Sequence, residues 1–184
     1  MKIVGLAGWS GAGKTTLLVQ LLERLTARGV SVSTVKHAHH GFDVDVPGKD
    51  SHRHRMAGAG EVLVASSRRW ALMHERRTPR EAALSELLPL LSPVDLVLVE
   101  GFKHEAHPKI EVHRAANGKP FLFPTLHDVR GLISDVAAPP GWNVPLVALD
   151  DLDGAAELVL NAAAPRKAVL AALAAAAAPA LAES

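Results

Sequence analysis

The chain contains no cysteine among its 184 residues. Disulfide frameworks, cysteine-ligated zinc and iron–sulfur clusters are thereby excluded, and the composition fits a reducing compartment. Charge of one sign is also lacking. Twenty Lys and Arg against 19 Asp and Glu leave a net charge of +1, so no overall field draws the chain to nucleic acid or to an anionic membrane. No segment reaches the roughly eighteen strongly apolar residues of a membrane span. The Ala-rich run from Ala168 to Ala178 is too short and too weakly hydrophobic, and Pro179 closes it. No secretory leader is visible at the start, where Met-Lys-Ile-Val-Gly enters a strand-like segment directly. A soluble cytoplasmic protein without nucleic-acid or membrane partners is expected. Hydrophobic residues make up 48%, enough for a substantial core, and the length suits one domain with a short appendage.

Ile3–Ala7 is an apolar run leading into a Gly-rich turn, Gly8–Gly13. Leu17, Leu18, Leu21, Leu22 and Leu25 then recur every three to four residues, the signature of one helix face. Arg28-Gly29 supplies a helix stop. Val30–Val35 alternates as a strand. The opening is thus a βαβ unit, which predicts a parallel sheet with a right-handed crossover. Residues 36–55 are polar and aperiodic, and a long loop is expected there. Glu61–Ser66 and Trp70–His74 read as strands joined by Ser67-Arg68-Arg69. Thr78-Pro79-Arg80-Glu81 resembles a helix start, with the helix running to about Leu91. Val94–Val99 suits a buried central strand. Ile110–Arg114 and Phe121–Phe123 flank an Asn-Gly turn and predict a hairpin. Leu146–Leu149 is a late strand, Asp153 is the expected N-cap of a helix to about Asn161, and the segment after Pro165 is expected to be helical. The fold class expected is α/β, a P-loop NTPase with a mostly parallel doubly wound sheet flanked by helices and an added β-hairpin. The domain organisation expected is a nucleotide-binding domain over residues 1–164 and an Ala-rich tail over 165–184.

Gly8-Trp-Ser-Gly-Ala-Gly-Lys14-Thr15 matches G-x-x-x-x-G-K-[ST] at every fixed position. The glycines let successive backbone N–H groups point into one concavity suited to an anion. The following helix brings its positive end to the same place. Lys14 would reach the β- and γ-phosphates of a nucleotide, and the Thr15 hydroxyl would ligate Mg²⁺. The motif needs a strand before it and a helix after it, and both are present.

Asp95-Leu-Val-Leu-Val-Glu100-Gly101 is a buried-strand pattern ending in an acid. Ligands of doubly wound sheets sit at the carboxyl ends of strands, so Glu100 is placed to hold Mg²⁺ or its waters. Asp95 starts the strand at the opposite edge and is expected to be structural. Lys36 and His37 follow the second strand and emerge on the ligand edge, as candidates for contact with the triphosphate. Five of the ten histidines fall between His37 and His54, in company with Asp43, Asp45, Lys49, Asp50 and Arg53. Three readings stay open for this stretch: a Zn²⁺ or Ni²⁺ site, a switch-like loop whose acids touch Mg²⁺, and a solvated polar loop. Asp50 is the preferred loop acid, because Gly48-Lys49 gives it a turn to sit on. Arg68, Arg69, Arg76, Arg77 and Arg80 form a basic cluster that fits a kinase lid, a dock for a phosphorylated pterin, or plain solvated surface.

Further segments occur in order: Thr34-Val-Lys-His-Ala-His-His, Asp43-Val-Asp45, Pro47-Gly-Lys-Asp-Ser51, Arg55-Met-Ala-Gly-Ala59, Arg69-Trp-Ala-Leu-Met73 and Asp95-Leu-Val-Leu-Val-Glu-Gly-Phe-Lys103. With the phosphate loop, they resemble the molybdopterin-guanine dinucleotide biosynthesis protein B family over about Ile3–Asn161. The loop motif belongs to a vast superfamily, whereas the Lys-His-x-His-His, Gly-Lys-Asp-Ser and Glu-Gly-Phe-Lys segments are far more specific. The resemblance implies a GTP-binding protein with slow Mg²⁺-dependent hydrolysis. It would assist the guanylyltransferase that joins GMP to molybdopterin, and would work as a homodimer beside molybdopterin-carrying proteins. It places Gly11, Gly13, Lys14, Thr15 and Thr16 on the phosphates and Thr15 with Glu100 on Mg²⁺; with Ala12 added to the phosphate loop and Asp50, the preferred loop acid, added at the ion, the chemistry is expected of Lys14, Asp50 and Glu100. No Asn-Lys-x-Asp pattern for reading guanine is present, and no arginine finger is identifiable. The rival activities are an ATP-dependent small-molecule kinase, a His-rich metallochaperone GTPase, and an adapter in which hydrolysis plays no part.

Overall fold

The computed structural model describes residues 1–38, 41–78 and 80–178. The described chain divides into two compact units. One comprises Met1–His37 and everything from Ala83 onward, the other Ala38–Ala82.

The first unit is built on a mostly parallel sheet. Its strands are β1 (Lys2–Ala7), β2 (Val32–Lys36), then Leu96–Glu100, Lys109–His113, Val129–Ser134 and Leu146–Ala148, with a short Ala164–Pro165 strand. In the second unit β3 (Glu61–Ala65) and β4 (Trp70–His74) pair antiparallel as a separate hairpin. The later strands are therefore β5 to β9 in chain order, and the main sheet runs β2-β5-β1-β6-β7-β8, with β9 antiparallel to one end of β1. The expected α/β class with a parallel sheet and an added hairpin is what the chain adopts, and the hairpin is β3–β4.

The sheet is covered on both faces, which is why its central strands are apolar on both sides. On one face, helix α1 (Lys14–Ala27) presents Leu17, Leu18, Leu21 and Leu25, as the leucine spacing predicts. They pack with Ala155, Ala156, Leu158 and Val159 of a late helix, Leu152–Ala162, against Val4, Leu6, Leu98 and Ile110. The opposite face buries Ile3, Val97 and Val99 under Leu84, Leu88, Val169 and Leu173. The last two come from the helix Arg166–Ala177, so the Ala-rich segment is seated on the sheet through Val169 and Leu173.

Several expectations are corrected. The stretch 36–55 is not all loop, because α2 (Asp50–Met56) forms within it. No residue of α2 is buried, so it carries no apolar period. Its signal is electrostatic, with Asp50 in the first turn and Arg53, His54 and Arg55 in the last. The helix expected from Thr78 to Leu91 is reduced to α3 (Leu84–Leu87) and a 3₁₀ turn, Leu88–Leu90. The Leu84 N–H is capped from afar by both Glu105 carboxylate oxygens at 3.0 and 3.1 Å, and Pro89 withholds the donor that an α-helix would need. The Asn-Gly hairpin does not exist. β6 lies between β1 and β7 and is parallel to both. Phe121–Phe123 is not a strand, and Ala115–Asn117 is a 3₁₀ turn. Strand β7 went unrecognised. The N-cap of the late helix, α4, is Asp151, whose carboxylate accepts from Gly154 N–H at 2.8 Å. Asp153 instead pairs with Arg28 at 2.6 Å. Asp95 is structural as expected, accepting from Ser31 N–H and Oγ at 2.9 and 2.5 Å.

Candidate functional site

The carboxyl ends of β1, β5 and β2 lie side by side, and each delivers part of one cluster. β1 runs into the loop 8–13, which bends through two left-handed glycines, Gly11 (φ 81°) and Gly13 (φ 87°). Helix α1 then starts without a side-chain cap on its N–H groups and without an acid in its first turn. The first-turn donors and the positive end of the helix dipole therefore stand ready for an anion.

Lys14 Nζ donates to Gly8 O and Trp9 O, both at 2.9 Å, so the ammonium is strapped across the loop that precedes it. Burial lowers the Lys14 pKa from its ordinary value. Glu100 opposes that shift, and Lys103 and Lys36 add to it. Thr15 Oγ1 donates to Glu100 Oε1 at 2.7 Å. Glu100 Oε2 lies 3.5 Å from Lys36 Nζ, its neighbour across the β2–β5 register. Lys14, Thr15, Lys36 and Glu100, named from sequence on separate segments, thus converge on one point. His37 N–H donates to Glu100 O at 2.8 Å, and its ring lies 4.8 Å from that of Phe102. Gly101 (φ 93°) makes this approach possible, since a Cβ there would stand 2.6 Å from the His37 Cβ. Ala12 is buried beneath the loop, and Thr16 is exposed on the first turn of α1.

Asp50 lies in the other unit, at the start of α2, with its carboxylate 3.8 Å from Arg53 Nη1. That unit is knotted around Arg55, which pairs with Asp43 at 2.7 Å, Asp45 at 3.2 Å and Glu75 at 2.6 Å. Arg76 and Arg77 of the basic cluster donate to Arg80 O and Gly58 O. His39 and His40 lie outside the described residues. Among the described residues no group of three or more His, Asp or Glu could hold a metal ion by itself.

Other side chains at the loop were not among the site residues named from the sequence. Asn117 Nδ2 donates to Ser10 O at 2.9 Å, and Asn117 Oδ1 sits 2.8 Å from where a Gly11 Cβ would be. The Arg114 guanidinium flanks Gly13, with Nη2 3.5 Å from a Cβ placed there. Trp9 Nε1 donates to Pro120 O at 2.8 Å, and Lys103 Nζ lies 5.1 Å from the centre of its ring. All except Lys103 owe their position to the segment after β6, which the sequence suggested was a hairpin. The Asn-Gly dipeptide marked a turn there, but not what the turn would cover.

The arrangement offers an anion a ring of N–H donors, a lysine beside it, and a hydroxyl–carboxylate pair at the rim. Comparisons with known proteins point to one family. Residues 3–135 match the family model described as molybdopterin guanine dinucleotide synthesis protein B. A molybdopterin-guanine dinucleotide biosynthesis adapter protein of Escherichia coli K12 is 44% identical over 162 residues, covering 86% of this chain and 91% of that protein. Its counterpart from Haemophilus influenzae is 48% identical over 120 residues, 64% of this chain and 66% of that one. The crystal structure of Bacillus subtilis MobB superposes with a TM-score of 0.66 at 26% identity, over 88% of this chain and 97% of the other.

Proposed function

The chain belongs to the molybdopterin guanine dinucleotide synthesis protein B family, and on that premise we propose that it is a GTP-binding adapter in the biosynthesis of that cofactor. It would serve the guanylyltransferase that joins GMP to molybdopterin, exchange contacts with molybdopterin-carrying proteins, and hydrolyse GTP slowly. The observation that carries the reading is the Thr15–Glu100–Lys36 contact at the mouth of an uncapped helix whose first residue, Lys14, straps its ammonium across the loop.

Each residue has a role. The N–H groups of Gly11 to Thr16 cradle the phosphates. Lys14 exchanges its two carbonyl acceptors for phosphate oxygens, and Lys36 adds a second cation on the Glu100 side. A hydroxyl and a carboxylate are hard oxygen donors, and so few of them suit Mg²⁺, which keeps waters and phosphate oxygens as its other ligands. Thr15 and Glu100 would hold that ion. When bound, Mg²⁺ neutralises charge on the phosphate oxygens. No arginine finger is identifiable in the sequence, and turnover by the isolated protein is expected below roughly 1 per second.

We place the protein in the cytoplasm, in keeping with its lack of cysteine. It acts as a homodimer, for which the exposed Leu63, Trp70 and Leu72 of β3–β4 offer an apolar face. The test is a reconstituted guanylyltransferase assay with and without the protein. Wild type raises the yield of guanine dinucleotide, and Lys14→Ala, unable to retain GTP, does not. Full stimulation by a Lys14→Ala protein shown to bind no nucleotide would leave a pure adapter and end the nucleotide-dependent reading.

A further inference from the structure

A second feature borders the loop on the side away from Glu100. It is an open cavity of about 850 Å³ along the carboxyl ends of β7 and β8. Thr16 and Arg114 form its near wall, and Asp135, Ala137, Leu149 and Asp150 contribute to the rest. The volume lies in the range of small-ligand sites. Apolar side chains mixed with a few polar groups suit a heterocycle that stacks on one surface and hydrogen-bonds at its edge.

The position gives the cavity its meaning. β1 has β5 and β2 on one side and β6, β7 and β8 on the other. The lysine, hydroxyl and carboxylate cluster lies on the first side and marks the terminal-phosphate end. The cavity lies on the second side and begins at Thr16, the next residue of the first turn. A triphosphate drawn along the loop therefore points its nucleoside into the cavity. Arg114 flanks Gly13 and also lines the cavity, so its guanidinium stands where loop and cavity meet. Asp135 is held in place, its Oδ1 accepting from Ala115 N–H at 2.8 Å, which leaves Oδ2 and the second lone pair of Oδ1 for a ligand.

We propose, building on the nucleotide-binding reading above, that this cavity receives the nucleoside and that Asp135 selects guanine over adenine. Guanine presents two donors on one edge, N1–H and the 2-amino group, and a carboxylate accepts from both. Adenine presents a bare N1 lone pair there and has no 2-amino group, so the same carboxylate repels it. Arg114 holds the phosphate next to the ribose. This supplies a guanine reader in a chain that has no Asn-Lys-x-Asp segment.

The experiment is calorimetry on the full chain in Mg²⁺, with tripolyphosphate, GTP, ATP and xanthosine triphosphate as titrants. The proteins are wild type, Asp135→Asn and Ala137→Trp. Asparagine keeps an oxygen for Ala115 N–H, and Ala137 is exposed, so both variants should fold, with circular dichroism as the check. Tripolyphosphate binds all three proteins alike. Wild type prefers GTP to ATP by about 100-fold, as two charge-assisted hydrogen bonds imply. Asp135→Asn loses that preference and gains affinity for xanthosine triphosphate, whose 2-oxo group meets the new amide, a gain that a merely structural role would not produce. Ala137→Trp lowers GTP affinity toward that of tripolyphosphate. If tripolyphosphate binds but GTP affinity is unchanged in both variants, the cavity assignment is overturned and the phosphate loop stands. If tripolyphosphate fails to bind any of the three, the loop reading itself is overturned.

Discussion

Glu100→Gln separates a metal-holding carboxylate from a structural one. The side chain is 13% exposed, accepts from Thr15 Oγ1 at 2.7 Å and lies 3.5 Å from Lys36 Nζ. Glutamine keeps the shape and an acceptor for Thr15 and loses the charge. Lys36 is 61% exposed, so the lost ion pair is screened and costs about 0.5 kcal/mol. For a chain of this size that lowers Tm by about 1–2 °C. Loss of the charge also removes what holds the Lys14 pKa up, so it falls further. The effect on Mg²⁺ is much larger, because removing a carboxylate at or next to the ion costs about 10–100-fold in affinity. GTP binding without Mg²⁺ should hold or improve, since one negative charge fewer faces the phosphates. Thermal melts and Mg²⁺ titrations of the protein with GTP measure both. A Tm drop above about 5 °C with an unchanged Mg²⁺ requirement would refute the assignment and make Glu100 a structural residue.

Two further outcomes follow from groups around the same strand ends. His107 is buried with Nε2 lacking a partner against Gly5, and burial, reinforced by Lys109, depresses its pKa from 6.5 to about 3. The unfolded chain therefore binds more protons between those two values, and stability falls as pH drops through that window, by at most about 1.4 kcal/mol per pH unit. Urea midpoints from pH 7 to 4 should show this slope in wild type and a flatter one in His107→Leu; equal slopes would assign the acid sensitivity elsewhere. Asn117→Ala removes the tie from Nδ2 to Ser10 O, worth about 1 kcal/mol, and loosens the loop. Tripolyphosphate affinity should fall about fivefold, and an unaltered affinity would show that the loop holds its shape without this strut.

Local spacing accounts for what the sequence made legible. The leucine period of α1, the unbroken apolar run of β5 and the glycine pattern between β1 and α1 each lie within about a dozen residues. The strand-end rule then puts Glu100 and Lys36 on the same edge of the sheet. β6 misled for the opposite reason. The Asn-Gly turn after it suggested one arm of a hairpin, yet the strand is central, and its Lys109, Glu111 and His113 are all buried. Each polar group finds partners outside its own strand or beyond the nearest residues. Lys109 Nζ donates to Glu105 O and His107 O at 2.6 and 2.8 Å, Glu111 accepts from Leu122 and Phe123 N–H at 2.6 and 2.8 Å, and His113 stacks on Phe121 at 3.9 Å. β7 was missed because Arg130 and Gly131 interrupt its apolar pattern. The glycine is there because Leu158 packs against the strand, where a Cβ would stand 2.8 Å from Leu158 Cδ1.

The same contrast divides the candidate site. Phosphate is bound by backbone N–H groups, whose direction follows from the φ angles of one short segment, so a regular pattern of glycines suffices to announce it. A nucleobase must be read by side chains at its edge and face. The groups lining the cavity proposed for it, Arg114, Asp135 and Leu149, meet there only because β6, β7 and β8 lie in that order in the sheet. Nothing in their spacing along the chain requires that meeting. A phosphate loop shared across a superfamily can therefore be recognised from eight residues, while the choice of base is set by long-range topology and becomes visible when the strands are in place.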